Sequence, residues 1–544
     1  MRQFTDTITA FDIFVLLLGG LYCYYLVHHT KKNRFRLPPG PRRYPIIGSL
    51  LSIPIVHQHK AFARLSREYS SDILYFDAAG TPIVVLNSQE STSELLERRS
   101  ANYSDRPYRT MVTELIGGQQ FLSLKRYGPQ WKQERKLLVR HLVSQQNTEW
   151  NRRWLLQFSQ RLILDIVATP NQFLDHLESG IGESLIKFIY GIKLRRPDPL
   201  VKVAHETMRI IMVATIPGWF LVDLLPWLKY IPGWVPGATF QTFARVGKDT
   251  LQRHFEKPFE IAISAIAGGT CRPSFISTYL GTKGHGERAY SEQEFVTIRN
   301  TAGMIFAGAA DTTNALISNI ILAMLVYPDA QQKVHREIDR FIEGGSIPVW
   351  GERSRAPYFY AVLKEVLRQA RSIHPTFYVT YDTSEARWQP IVPTGIPHMA
   401  TKPDVYKGYY IPTGTVVFGN AWPILNDEAI FPEPQKFKPE RFLENGKIRK
   451  DVLDPEIVGS FGFGRRKCPG SAHALSTSWF ATFLLLATFE ITKAKDENGN
   501  EVGPEVKYDP LATICHPEPF NCTFKLRSRR ALDLIEDELY SMSK

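Results

Sequence analysis

The sequence predicts a mainly α-helical fold with a small β-sheet region, preceded by an N-terminal transmembrane helix. Apolar residues recur every three or four positions over long stretches, a pattern typical of amphipathic helices; these stretches are residues 151–167, 291–326, 330–342 and 358–368. Residues 72–87 have the pattern of a strand, a glycine turn and a second strand, and residues 414–419 that of another short strand. Residues 8–27 are almost entirely apolar and have the length of a membrane-spanning helix, about 20 residues.

The N-terminal apolar run is interrupted by one acid, Asp12, and is followed at once by a cationic cluster. Such a cluster stays on the cytosolic side of a membrane. A cleaved signal peptide is the alternative, but bulky Tyr22 and Leu26 stand where cleavage needs small residues. The following LPPGP segment, residues 37–41, cannot continue a helix. We therefore expect an anchor at residues 1–30, a basic and proline-rich hinge at residues 31–44, and one globular domain at residues 45–544.

Charge and composition narrow the class of protein. The chain has 544 residues, 44% of them hydrophobic, so it can bury a sizeable core. The formal net charge of +12 suggests an acidic partner or an anionic membrane surface. Nucleic acid is disfavoured, because basic residues are dispersed and no nucleic-acid module is visible. The five cysteines form no C-x-x-C element, which argues against structural disulfides and a zinc site.

The most informative motif is FGFGRRKCPG, residues 461–470. Gly462 and Gly464 allow a tight loop, and Cys468 lies just before a predicted helix at residues 470–486. The positive end of that helix and the neighbouring basic side chains favour a thiolate, so we expect a lowered pKa for Cys468. A buried structural cysteine beside a basic turn is the alternative.

The spacing F-x-x-G-x-x-x-C-x-G resembles the haem-thiolate loop of the cytochromes P450. The resemblance covers essentially the whole chain, from the anchor and hinge to the HPEPF segment at residues 516–520, and the chain is similar to fungal microsomal monooxygenases of the O-methylsterigmatocystin oxidoreductase type. It implies a cytochrome P450 fold, a haem-thiolate domain at residues 45–544, and haem b with Cys468 as the axial iron ligand. The implied reaction inserts one oxygen atom of O2 into an apolar or aromatic small molecule, in secondary metabolism.

A polar segment, GAADTT at residues 308–313, interrupts the apolar helix predicted at residues 291–326. Threonine hydroxyls that bond back to helix carbonyls can bend a helix and open room for a ligand. The resemblance assigns proton delivery during oxygen activation to Asp311 and Thr312, and Ala309 replaces a frequent glycine. A polar stripe on a core helix is the alternative.

Further residues match other parts of the family pattern. The resemblance gives Trp131, Arg135, His398 and Arg466 the role of holding the haem propionates, for which guanidinium groups are well suited. Glu365 and Arg368 share one face of a predicted helix. Alone they are a common surface pair, but together with Arg441 they resemble the structural triad of the family.

The chain contains no G-x-G-x-x-G fingerprint at the start of a helix, so it shows no nucleotide site of its own. We therefore expect electrons from NADPH through a cytochrome P450 reductase, with the catalytic domain on the cytosolic side of the endoplasmic reticulum membrane. An acidic reductase would dock on basic residues and give salt-sensitive association; these residues are Lys132, Lys136, Arg140, Arg465 and Lys467.

Two segments remain ambiguous. Residues 369–387 separate E-x-x-R from the W-x-P-x-x-P stretch, where the family pattern runs on directly. They are either an insertion foreign to the fold, as an unspliced intron would give, or a tolerated surface loop. Residues 216–237 are rich in tryptophan and proline, and these aromatic residues either pack ordinarily or, as the family resemblance implies, lie over a substrate entrance that dips into the membrane. Two alternatives to a monooxygenase stay open. One is a haem-binding protein impaired by the insertion, and the other is an isomerase or dehydratase that needs no reductase.

Overall fold

The computed structural model describes residues 19–20, 36–145, 148–193, 198–216, 218–281, 290–348, 352–369, 391–508 and 514–542. The predicted anchor lies outside these ranges except for Gly19 and Gly20, as does the 369–387 segment except for Gln369. Within the described ranges, one helix, Glu292–Val326, is long and apolar enough to cross a membrane. Most of its apolar window is buried inside the protein, as expected for a core helix.

The described chain is mainly helical with small sheets, which confirms this part of the predicted fold class, while the predicted N-terminal transmembrane helix stays a prediction. The helices are α1 (Gln58–Glu68), α2 (Gln89–Thr92), α3 (Ser100–Tyr103), α4 (Pro129–Gln145), α5 (Glu149–Ala168), α6 (Phe173–Tyr190), α7 (Pro199–Thr215), α8 (Leu221–Leu224), α9 (Thr239–Ala267), α10 (Phe275–Leu280), α11 (Glu292–Val326), α12 (Pro328–Glu343), α13 (Pro357–Arg368), α14 (Ala421–Leu425), α15 (Ser471–Thr488) and α16 (Arg530–Ser541).

The strands form small, separate sheets. They are β1 (Ile73–Ala78), β2 (Thr81–Leu86), β3 (His398–Met399), β4 (Asp404–Tyr406), β5 (Tyr409–Ile411), β6 (Val416–Gly419), β7 (Leu443–Glu444), β8 (Lys447–Ile448), β9 (Phe489–Lys495), β10 (Glu501–Val502) and β11 (Cys522–Leu526). The largest sheet has the order β1-β2-β6-β3, with β1 and β2 as the predicted hairpin and β6 parallel to β2.

Helix α11 is the centre of the molecule. It begins at a capping box, in which the Ser291 hydroxyl accepts from the Glu294 N–H and the Glu294 carboxylate accepts from the Ser291 N–H. Its apolar residues point in all directions, and it packs against α4, α6, α9 and α15. A helix that is apolar all round must be buried. The predicted helices at residues 151–167, 330–342, 358–368 and 470–486 are confirmed as α5, α12, α13 and α15, with ends that differ by one to two residues.

Candidate active site

The cysteine loop immediately precedes α15, and its conformation depends on glycine. Gly462 and Gly464 have φ values of 75° and 53°, in the left-handed region that favours glycine. A Cβ on Gly464 would lie 1.9 Å from the Leu96 carbonyl oxygen, so no other residue fits there without moving the backbone. The Cys468 N–H donates to the Phe461 carbonyl at 2.8 Å and closes the loop. The sulfur therefore has a fixed direction.

The Cys468 side chain has exposed surface, yet protein atoms are dense around it. We infer that the sulfur faces an interior space and not the outer surface of the protein. Burial raises the pKa of its thiol, and the Gly470 N–H, Arg135 and Lys467 lower it by less. The prediction of a lowered pKa for Cys468 is therefore wrong for the protein chain alone, without a bound metal ion. The sequence shows the nearby positive charges but not the desolvation that outweighs them. A metal ion bound to the sulfur would deprotonate a thiol outright.

Three arginine side chains converge beside this loop. Arg466 donates to the carbonyl oxygens of Ser104 and Lys125 at 2.7 and 2.8 Å, and its guanidinium lies 4.4 Å from the ring centre of Trp131. Burial lowers the pKa of Arg466 to about 10. Arg135 also stacks on Trp131, at 5.4 Å.

Arg135 joins α4 to the cysteine loop, because its guanidinium donates to the Lys467 carbonyl at 2.7 Å. Burial lowers its pKa as well. Two guanidiniums from different parts of the chain therefore contact the same tryptophan ring, and the structure brings together Trp131, Arg135 and Arg466 as predicted.

Arg106 is a third member that the sequence reasoning missed. It is buried and donates to the carbonyl oxygens of Ser123 and Pro397 at 2.8 and 2.7 Å. Burial and the nearby Arg466 lower its pKa. Its sequence context, SDRP at residues 104–107, has no periodicity that indicates a site.

His398 lies in β3 against the same cluster. Its Nδ1 is 2.7 Å from the Tyr103 carbonyl oxygen and therefore carries the proton. Burial, with the repulsion of Arg106, lowers the pKa of His398 to about 3, so the ring is neutral at pH 7. The histidine adds no positive charge to the cluster.

The cluster has more positive than negative charge. Arg106, Arg135 and Arg466 form no salt bridge with any residue in the described part of the chain. One carboxylate, Asp105, lies close enough to act on Arg106 and Arg466, but its hydrogen bonds go to Arg126 and to the N–H groups of Arg106 and Tyr127. Three guanidiniums beside one carboxylate that is already paired would be stabilised by a ligand that brings carboxylates. Haem, with two propionates and an iron for a sulfur ligand, fits these residues.

The predicted triad is assembled in the core. Arg368 donates to both carboxylate oxygens of Glu365, at 2.8 and 2.9 Å, and Arg441 approaches the same carboxylate at 3.2 Å. The side chains of Glu365 and Arg368 are 0% exposed, so this is not the surface pair that E-x-x-R usually indicates. The remaining N–H groups of Arg368 bind the carbonyl oxygens of Leu425 and Pro434. The triad thus ties α13 to the segment before the cysteine loop.

The polar segment of α11 has the geometry expected from its threonine. The Thr312 hydroxyl donates to the Gly308 carbonyl at 2.7 Å. It therefore competes for an acceptor of the helix's own backbone hydrogen bonds. Asp311 is buried, and its Oδ1 lies 2.9 Å from Nε2 of His516. The sequence reasoning did not single out His516, because 205 residues separate the pair. The HPEPF motif at residues 516–520 was the sequence feature from which His516 could have been identified.

The predicted basic surface is accessible. Lys132, Lys136 and Arg140 are exposed and lie four residues apart on one face of α4. Arg465 is exposed and donates to the Tyr127 hydroxyl, and Lys467 is partly exposed. None of the five forms a salt bridge with a residue that the structure describes.

Comparisons with known proteins agree over nearly the whole chain. A model of the cytochrome P450 family matches residues 38–382 and 386–519. The chain is 36% identical to a cytochrome P450 monooxygenase of Armillaria gallica over 93% of its own length and 95% of the relative. It is 36% identical to one of Rhodocybe pseudopiperita, over 94% of the chain and 93% of the relative. It is 35% identical to tryptamine 4-monooxygenase of Psilocybe cyanescens, over 96% of the chain and 98% of the relative.

Proposed function

Because the chain belongs to the cytochrome P450 family, whose members carry haem and act as monooxygenases, we propose that it inserts one atom of O2 into an apolar or aromatic small molecule. An NADPH-dependent reductase supplies the electrons. The observation that carries this proposal is the accessible Cys468 sulfur beside buried Arg106 and Arg466 and half-buried Arg135, none of which forms a salt bridge within the described part of the chain. Fungal secondary metabolism is the proposed setting.

Each residue of the site has a physical task in this proposal. Cys468 would hold the iron, while Arg106, Arg135 and Arg466 would bind the propionates and Trp131 would pack against the guanidiniums. Bound haem would supply the oxygen chemistry itself. Asp311 would hold a proton at its carboxylate. The Thr312 hydroxyl would rotate away from the Gly308 carbonyl, to which it donates its hydrogen, and donate toward the site instead.

Two measurements test the reaction class. The reduced protein with carbon monoxide should have the absorption spectrum of a thiolate-ligated haem, and product should form only with NADPH and a reductase. A thiolate spectrum with product in the absence of NADPH would favour an isomerase or dehydratase. A panel of terpenoid, polyketide and indole compounds should be screened by binding spectra, and indole amines have priority because one relative is a tryptamine 4-monooxygenase.

The second candidate is a haem-binding enzyme impaired by the 369–387 segment. The family model matches residues 369–382 and 386–387 and leaves residues 383–385 of this segment unmatched. Gln369, where it begins, is buried directly after Arg368 of the triad. We expect a variant without residues 369–387 to contain more haem per protein than the full chain. Equal haem content would indicate a tolerated loop.

A membrane location is also part of the proposal. Trp219, Trp227 and Trp234 are 51%, 59% and 83% exposed, so they do not pack in the core. Trp219 also lines a cavity of about 650 Å³ with apolar walls, formed by residues between Val213 and Phe243. Interfacial tryptophans bind at the headgroup level of a bilayer. Together with the anchor predicted at residues 1–30, this supports attachment to the endoplasmic reticulum and entry of apolar substrate from the lipid.

The tryptophans allow a direct test. We expect Trp219→Ala with Trp234→Ala, in a chain lacking residues 1–30, to lower partition into phospholipid vesicles at least about threefold, because each exposed indole contributes part of the binding free energy. Partition is measured by co-sedimentation. Trp154→Phe, a change in the buried core, is the control that should leave partition unchanged. Unchanged partition of the double variant would contradict the membrane contact.

Docking of the reductase should depend on salt. We expect Lys132→Glu with Lys136→Glu to raise the apparent KM for the reductase about tenfold at low ionic strength, with the difference from the parent shrinking at high salt, because exposed charges are screened. The measurement is NADPH oxidation against reductase concentration. Charge reversal of Lys493, which is exposed on β9, is the matched control. A turnover rate indifferent to both salt and charge reversal would contradict this docking surface.

A further inference from the structure

We propose that His516 is a positioning residue that holds the Asp311 carboxylate in the orientation needed for proton delivery. This inference rests on the proposed monooxygenase function. It assigns a task to the segment before β11, which carries no role in the function described above.

The contact is specific to one oxygen of the carboxylate. Nε2 of His516 lies 2.9 Å from Oδ1 of Asp311, and the side chains are 30% and 12% exposed. Oδ2 of Asp311 is buried and has no hydrogen-bond partner among the residues that the structure describes. The imidazole therefore fixes one oxygen and leaves the other open for a proton. An unpaired buried oxygen carries a free-energy cost, and such atoms in folded proteins call for an explanation.

The segment that carries His516 is docked firmly on α11. The Tyr508 hydroxyl donates to Oδ1 of Asn319 at 2.6 Å, and Asn319 lies about two turns after Asp311 on the same helix. Tyr508 also pairs with Pro517 through a β-bridge. The segment thus contacts one face of α11 at two points.

A third attachment joins the same segment to residue Ile391. The Cys515 N–H donates to the Ile391 carbonyl at 2.9 Å, and Pro517 restricts the backbone directly after His516. A side chain on so constrained a backbone has few orientations, which is the requirement for positioning another functional group.

Without the imidazole, the carboxylate of Asp311 would be free to rotate about its side-chain bonds. Protons would then arrive in the wrong orientation, and electrons from NADPH would reduce O2 to hydrogen peroxide rather than support product formation. Substrate binding does not require the pair, so the KM for substrate should be unaffected. If His516 had a purely structural role, its replacement would lower the stability of the folded protein and leave the product formed per NADPH unchanged.

The variants are His516→Phe, which keeps a ring and removes the donor, and His516→Gln, which retains an N–H donor. Glu518→Gln, an exposed change on the same segment, is the matched control. We expect the phenylalanine variant to form at least about threefold less product per NADPH, with a KM within about twofold of the parent and more peroxide. The glutamine variant should recover most of the loss, and the control should match the parent.

A second measurement uses the resting haem-containing protein without turnover. His516→Phe should lower the urea midpoint of unfolding, and this shift should at least halve in an Asp311→Ala background, because the partner is already gone. If the two substitutions shifted the urea midpoint additively, the interaction between His516 and Asp311 would be refuted. If the shifts were not additive but the product formed per NADPH were unchanged in His516→Phe, the positioning role would be refuted. A parent protein that binds haem and consumes no NADPH would instead refute the proposed function, while the unfolding cycle would still report on the contact.

Discussion

Replacement of Cys468 by alanine should abolish the absorption spectrum of a thiolate-ligated haem and lower monooxygenation at least about 100-fold, since the axial thiolate has no substitute in the loop. The Gly462 and Gly464 turns hold one sulfur at this position. The arginine cluster would still attract propionates, so some haem should remain bound without its sulfur ligand. The measurement is haem per protein, together with the difference spectrum of the reduced, carbon monoxide-bound protein.

Two companion variants make this result specific. Cys468→Ser keeps the size and polarity of the side chain, and it should also lose the thiolate spectrum. Cys271→Ala removes a thiol that contacts the Tyr190 and Arg272 carbonyl oxygens outside the cysteine loop, and it should retain both spectrum and activity. An unaltered spectrum in Cys468→Ala would refute the assignment of the axial ligand, and with it the proposed reaction.

Replacement of Glu365 by alanine should destabilise the folded protein by about 3–5 kcal/mol, because it leaves buried guanidiniums without their counterion. Arg368 is 0% exposed and Arg441 is 7% exposed, so water cannot take the place of the carboxylate. We expect little folded, haem-containing protein from this variant. The measurement is the yield of haem-containing protein and, where enough is recovered, the urea midpoint of unfolding.

Matched variants separate the loss of charge from the loss of a side chain. Glu365→Gln keeps the volume and one acceptor oxygen, so its loss of stability should be smaller than that of alanine. Glu68→Ala removes an exposed partner of Arg64, and it should change the free energy of unfolding by less than about 0.5 kcal/mol. A Glu365→Ala variant as stable as Glu68→Ala would show that the buried triad does not hold the fold together.

The elements of this fold were predictable because their signals are local. The periodicity of apolar residues defines α5, α11, α12 and α13 to within a few residues, since helical repeats depend on neighbours in sequence. The β1–β2 hairpin follows from alternation around a glycine turn. The association of Trp131, Arg135 and Arg466 was expected from the family pattern, and the structure brings these side chains together.

The parts that escaped prediction depend on burial and on contacts between distant residues. Arg106 resembles a surface arginine in the sequence, and only its burial beside Arg466 gives it a place in the site. His516 meets Asp311 across 205 residues, a distance over which no spacing rule applies. The sequence alone determined the helices, the hairpin and the glycine-dependent cysteine loop, because each is encoded by residues adjacent in the chain. The raised pKa of Cys468, the excess positive charge of the arginine cluster and the partner of Asp311 emerge only in the folded chain, because desolvation and charge balance depend on the groups that folding brings nearby.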